Sequence, residues 1–257
     1  MITDHKPKIL LASTTNIVKD YCLFDWLDHI KRLTYPDLEI FIVDNSHTPL
    51  FSQRISEMGF NCVWEDPKER ESRYYMASSN ERCRVKFLAG DYDMFFSLEC
   101  DIFPQFDIIE RLLSHNVDVC GTTYWTDHGY NTHLQLSEIY CLHADENTHT
   151  KEFKERQLSF EEGQLFMDGT LKPVYANGMG CKLIKRWVLE KIGFRIDPNN
   201  VGFADSFFNE DLWKNGIINY VDTQIIPLHR NSNWNTVLAD SIHKKLQAAK
   251  GQIKLEK

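Results

Sequence analysis

Within its first hundred residues the chain alternates short apolar runs with segments of helical periodicity, and this alternation narrows the fold more than any other feature. "KILLAST", "LEIFIVDNS", "NCVWE" and "YDMFFSLEC" read as four strands. Between the first two, "IVKDYCLFDWLDHIKRL" places Ile17, Tyr21, Phe24, Leu27 and Ile30 at helical spacing. "PLFSQRISEMG" is a second helix closed by Gly59, and "SSNERCRVKFLAG" a third stopped by Gly90. Apolar strands separated by helices imply an α/β protein whose mostly parallel central sheet carries helices on both faces. In such sheets the functional crevice lies beyond the carboxyl ends of the strands. Three of those ends are polar here: Ser13-Thr14, Asp44-Asn45 and Glu99 to Asp101.

The remainder is less regular. "FDIIERLLSHNVDVCGTTYW" gives a helix, a strand and an aromatic turn. Residues 127–172 are polar with weak periodicity and read as an irregular excursion. It contains a hairpin, "GQLFMDGTLKPVYA", built on the Asp-Gly turn at 168–169. "CKLIKRWVLEKIG" and "DSFFNEDLWKNG" read as helices, "INYVDTQIIPLH" as a final strand, and residues 231–257 as a helical tail with a basic end.

Composition excludes several classes. A formal net charge of -8 disfavours non-specific attraction to nucleic acid or anionic lipid. No apolar stretch approaches the roughly 20 residues that span a bilayer. The opening "MITDHKPKILLAST" lacks a signal-peptide pattern. Seven scattered cysteines without a C-x-x-C pair read as reduced, packed thiols. These features together predict a cytoplasmic protein. No G-x-G-x-x-G follows the first strand, which argues against a dinucleotide-dependent dehydrogenase.

The run "FFSLECDIFP" ends a buried strand in two carboxylates. If the strand continues, Glu99 and Asp101 face the same way while Cys100 points opposite. Adjacent carboxylates repel unless a cation or proton lies between them. Mg²⁺ and Mn²⁺ prefer oxygen ligands and commonly bind through one or two carboxylates plus substrate phosphates. The plainer alternative makes both residues solvated loop acids ahead of a helix opened by Pro104.

"IVDNS", "SLECD", "NGMGCKLIKRWVLEKIG", "FFNEDLWKNG" and "PLH" occur in an order and spacing that resembles the nucleotide-sugar-dependent glycosyltransferases of the GT-A fold, particularly family 2-like members. The resemblance spans about residues 8 to 230, with Glu99-Cys100-Asp101 where D-x-D is commonest. It implies one catalytic domain over 1–230, with a nucleotide-binding half (1–104) and an acceptor-side half (105–230), followed by the tail. It also implies transfer of a sugar, with inversion, from a nucleoside-diphosphate donor that is UDP-linked. The acceptor is a hydroxyl of a glycan, a small molecule or a protein, or a modified DNA base. A non-catalytic nucleotide-sugar-binding module of the same fold is the alternative.

The resemblance makes Glu99, Asp101 and His229 ligands of Mn²⁺ or Mg²⁺, His229 being otherwise a surface or nucleotide-contacting histidine. Ala12, Ser13, Asp44, Asn45 and Asn80 fall on the nucleotide side, although "DNS" equally favours an Asx-turn at Asp44. Arg73, Arg82 and Arg84 offer charge for the diphosphate, with Arg82 and Arg84 on different helix faces so that at most one serves. Gly178 and Gly180 let backbone approach a ligand closely. Trp125 either stacks on the acceptor or packs ordinarily. For the general base, "DSFFNEDLWKNG" offers Asp205, Glu210 and Asp211. Asp205 suits a helix cap, and Glu210 an ion pair with Lys214. Asp211 lies beside the apolar face set by Phe207 and Phe208, where partial desolvation suits a base, and is the expected choice.

Overall fold

Four strands open the sheet: β1 (Ile9–Thr15), β2 (Leu38–Asp44), β3 (Cys62–Trp64) and β4 (Met94–Leu98). They lie parallel in the order β3-β2-β1-β4. The computed structural model describes residues 6–68, 70–126, 135–136 and 160–230. A 3-10 turn (Ile17–Lys19) leads from β1 into α1 (Asp20–Ile30). Two further helices, α2 (Leu50–Glu57) and α3 (Ser72–Ala89), connect the other strands.

Alternate residues of the strands feed two separate cores. Ile9, Leu11, Ile42 and Phe96 pack against Leu23, Trp26 and Leu27 of α1 and Ile55 of α2. Leu10, Phe41, Val43 and Phe95 pack against Ala77, Cys83 and Phe87 of α3. Both faces of β1 are therefore closed to water, as a central parallel strand requires. Truncating such a residue, Phe96 for example, costs about 3–5 kcal/mol.

The second half adds β5 (Ile102–Phe103), α4 (Ile108–Ser114), β6 (Val119–Gly121), β7 (Trp125–Thr126) and β8 (Gln135–Leu136). Then follow α5 (Phe160–Phe166), β9 (Leu171–Val174), β10 (Cys181–Lys185) and α6 (Arg186–Lys191). The described chain closes with α7 (Ala204–Lys214), β11 (Asn219–Asp222) and β12 (Leu228–His229). The sheet order is β3-β2-β1-β4-β10-β6-β11-β9, with β10 and β9 antiparallel to their neighbours and the other six strands co-directional. No described helix is long and apolar enough to cross a membrane.

Three expectations are corrected. "CKLIK" is not the start of a helix but β10, because Cys181 and Leu183 face one core while Ile184 faces the other. The predicted hairpin is absent: α5 precedes the Asp-Gly turn, where Gly169 has φ +87°, and β9 pairs with β11 instead. The final strand is broken, β11 ending at Asp222 and β12 pairing with β5 outside the main sheet. The predicted tail, 231–257, lies outside the described residues.

The choice of strand for residues 181–185 places Lys182 in the interior, wholly buried. Its ammonium donates to Asn177 O at 3.2 Å and Asn209 Oδ1 at 3.1 Å, near the Phe208 ring. Asn209 Nδ2 donates to Asn177 O at 3.0 Å, and Asn219 Nδ2 to Asn177 Oδ1 at 2.9 Å. Burial pushes the Lys182 ammonium down to about 7, against the opposing charge of Asp205. Between there and the ordinary lysine value near 10.5 the unfolded chain binds the extra proton. Stability attributable to Lys182 therefore rises with pH across that window. Denaturant midpoints of the wild type and Lys182→Met should diverge between pH 7 and 10, the wild type gaining up to a few kcal/mol relative to the variant. Parallel pH profiles would show that the lysine is not held in this environment.

Candidate functional site

At the carboxyl end of β4 the chain turns instead of continuing as a strand. Glu99 N donates to Gly180 O at 3.0 Å, and Ile102 N returns to Glu99 O at 3.0 Å. Same-face alternation therefore does not apply, yet the turn still separates the three side chains as their polarity demands. Cys100 Sγ enters the core beside Thr15 Oγ1, at 3.2 Å. Glu99 and Asp101 line one cavity of about 100 Å³ with Ala12, Ser13, Lys19, Asn80 and Met179.

Asp101 is the centre of the site. Its side chain is only 1% exposed. Oδ2 receives the Lys19 ammonium, with His229 Nε2 at 3.3 Å and Tyr21 Oη at 3.5 Å. Oδ1 is buried and has no hydrogen-bond partner among the described residues. Burial alone would raise the Asp101 carboxyl, but His229 and Lys19 outweigh it and hold the group below its ordinary value. Glu99 moves the other way. Burial, then the Asp101 charge, push it up to about 7, against the pull of Lys19 and His229.

His229 reaches Asp101 because β12 pairs with β5, setting His229 opposite Ile102, and Arg230 N donates to Asp101 O at 2.8 Å. Asp205 lies in the first turn of α7, where its Oδ1 accepts from Ser206 N at 2.8 Å. The capping position belongs to Phe203, so Asp205 is not the helix cap. Its charge is felt by both Glu99 and Lys182.

Other expected residues lie elsewhere. Asp211 is held bidentately by Arg195, at 2.6 and 2.8 Å, and does not line the cavity. The helical pattern placed it beside Phe207 and Phe208, but the guanidinium from the preceding loop was not visible in that pattern. Glu210 pairs with Lys214 at 2.7 Å and also with Arg195. Asp44 is fully buried and forms the Asx-turn, its Oδ1 accepting from Ser46 N at 2.9 Å. Asn45 bonds Ser79 and Asn16.

None of the three arginines lines the carboxylate cavity. Arg73 Nη1 reaches the carbonyls of Asp197 and Asn200, and Arg84 Nε donates to Leu189 O at 2.6 Å. Arg82 lines a separate hollow beyond β3. The cation actually present is Lys19, overlooked although it sits one short turn beyond the tip of β1. Met179 lines the cavity, but the glycines beside it face Tyr124. The Trp125 side chain and most of residues 127–159 lie outside the described residues.

No protein-family model and no curated protein matches the chain. Solved structures do. A structure of GalNAc-T7 with UDP, GalNAc and Mn2+ superposes with a TM-score of 0.60 at 11% identity, covering 90% of this chain and 46% of that one. The mannosyltransferase PcManGT from Pyrobaculum calidifontis, in complex with GDP-Man and Mn2+, gives 0.49 at 16% identity, covering 87% of this chain and 57% of that one. The chain thus spans about half the length of each of these transferases. The likeness to the first shows the fold: a mixed α/β architecture with a large central sheet, as in GT-A glycosyltransferases.

The glycine loop yields a specific test. A Cβ on Gly178 would meet Tyr124 Oη at 2.4 Å and then Cζ only at 3.3 Å. On Gly180 the ring itself intrudes, with carbons at 2.7 and 2.9 Å. Both alanine variants should lose about 1–3 kcal/mol in thermal or denaturant melts. Tyr124→Phe should restore most of that loss to Gly178→Ala and little to Gly180→Ala. Equal rescue of both would mean that the hydroxyl is not the obstacle.

Proposed function

We propose that the chain is a family 2-like GT-A glycosyltransferase that moves a sugar from a nucleoside-diphosphate donor, UDP-linked, to an acceptor hydroxyl with inversion. The observation that carries this reading is the buried Asp101 carboxylate with its unpartnered Oδ1, at the carboxyl end of a central strand and facing a cavity. A polar atom so placed requires a partner. Two carboxylates and an imidazole suit Mn²⁺ at least as well as Mg²⁺. Among the described residues no three His, Cys, Asp or Glu side chains are gathered closely enough to hold an ion by themselves, so this reading needs ligand oxygens to complete the coordination. Asp101 and His229 stand together at 3.3 Å and Glu99 lines the same cavity as Asp101, so these are the residues that would hold the ion with the help of those oxygens. When bound, such an ion offsets the charge of a departing diphosphate.

The remaining chemistry falls to the chain itself. Ala12, Ser13 and Asn80 line the cavity and would meet the nucleotide. Asp205 does not line the cavity either, but its charge reaches Glu99 whereas Asp211 is tied to Arg195, so Asp205 is the proposed general base in place of Asp211. It takes the proton of the acceptor hydroxyl as that oxygen bonds to the anomeric carbon. The bond from that carbon to the diphosphate breaks in the same step, which inverts the centre. The acceptor class stays open among glycans, small molecules, proteins and nucleic-acid bases.

The test is a screen of nucleotide sugars by thermal shift with MnCl₂, followed by assay of nucleoside diphosphate release. A true donor raises the melting temperature. Asp101→Asn should abolish turnover, and Asp205→Asn should lower it by about 10²- to 10⁴-fold. Asp211→Asn should leave kcat within a few fold while lowering stability through loss of the Arg195 pair. Donor binding without turnover would favour a non-catalytic module, and full activity in Asp101→Asn would remove the reading altogether.

A further inference from the structure

Lys19 ends the 3-10 turn after β1, and its ammonium rests on Asp101 Oδ2, the same oxygen that His229 approaches. A carboxylate this deeply buried needs a positive partner, and Lys19 supplies it. The two members of the pair are unequally fixed. Asp101 is 1% exposed, whereas the Lys19 side chain is 34% exposed and lines the cavity. No residue of the Ile17–Lys19 turn is buried, so the lysine stem can withdraw without opening the core.

A divalent ion on Asp101 would face this ammonium at close range, and like charges at that distance repel strongly. An ion on the unpartnered Oδ1 therefore weakens the hold of Oδ2 on the ammonium. The displaced ammonium stays within the cavity that Ser13, Asn80 and Glu99 also line. A lysine there is a compact charge well suited to phosphate oxygens.

Resting on the function proposed above, we propose that Lys19 is the internal counter-ion of the site. It neutralises Asp101 until a divalent cation binds, gives way to that cation, and then pairs with the diphosphate of the incoming nucleotide. Metal and nucleotide binding are thereby coupled: the metal frees the lysine that the nucleotide uses, and each ligand strengthens the other.

The experiment titrates MnCl₂ into the wild type, Lys19→Met and Asp101→Asn, following free Mn²⁺ by electron paramagnetic resonance with and without UDP. Lys19→Met should bind Mn²⁺ alone about tenfold more tightly than the wild type, the scale of one charged contact removed. At saturating Mn²⁺ it should bind UDP about tenfold more weakly. Without metal it should melt below the wild type, and MnCl₂ should restore the difference. Lys19→Gln serves in the same measurements if Lys19→Met does not fold. Mn²⁺ affinity unchanged or weakened in the lysine variants, while Asp101→Asn still loses the ion, would overturn the counter-ion role and leave the metal site standing. Absence of Mn²⁺ binding in all three proteins would overturn both.

Discussion

A carboxylate withdrawn from water must be neutralised, and the site is built around that requirement at Asp101. Three separate stretches of chain answer it. The turn after β1 brings Lys19, α1 brings the Tyr21 hydroxyl, and β12 brings His229. α1 is held by its own buried apolar face, but the turn has no buried residue and β12 only two residues. Their common anchor is the charge, supported by the bond from Arg230 N to Asp101 O. Among the described residues Oδ1 is left without a hydrogen-bond partner, so the neutralisation falls entirely on Oδ2.

The second organising element is the antiparallel β10 inserted between β4 and β6. It carries Cys181 and Leu183 into one core and Ile184 into the other, and it delivers Gly180 O to Glu99 N. Lys182 and the three asparagines 177, 209 and 219 then tie the loop before β10 to α7 and β11. One polar network thus fixes both the floor of the cavity and the helix that presents Asp205. Buried polar networks of this kind cost stability where a member is left unsatisfied, as Asn219 Oδ1 is among the described residues, so the contacts that are made serve orientation.

Much of the fold was legible in the sequence because buried parallel strands leave unbroken apolar runs, as "KILLAST" and "DMFFSLEC" do. The strand-tip acids were legible for the same reason, since a charged group directly after such a run marks the rim where a buried strand meets the crevice, whereas His229 was expected from the family resemblance alone and lies outside the main sheet. What escaped was decided by contacts distant in sequence. The Arg195 clamp on Asp211 joins a loop to a helix, and nothing in "FFNEDLWKNG" announces it. The glycines of "NGMG" accommodate Tyr124, a neighbour more than fifty residues away in the chain. Lys19 looked like an ordinary surface lysine because its partner lies 82 residues further on. "CKLIK" was misread because five residues of alternating burial are too short to separate from a helix start by periodicity.

The pairing of β12 with β5 has a temporal consequence. Tyr21 bonds the carbonyl of Arg230 across 209 residues, and His229 meets Asp101 across 128. Contacts of such long range must wait for the intervening loops to close, so they form late in folding. As the chain emerges from the ribosome, β1 to β4 can pair and bury their apolar residues while His229 is still unsynthesised. The nascent half-protein therefore carries four of the eight strands and an incomplete site, so that architecture begins before chemistry in the life of each molecule.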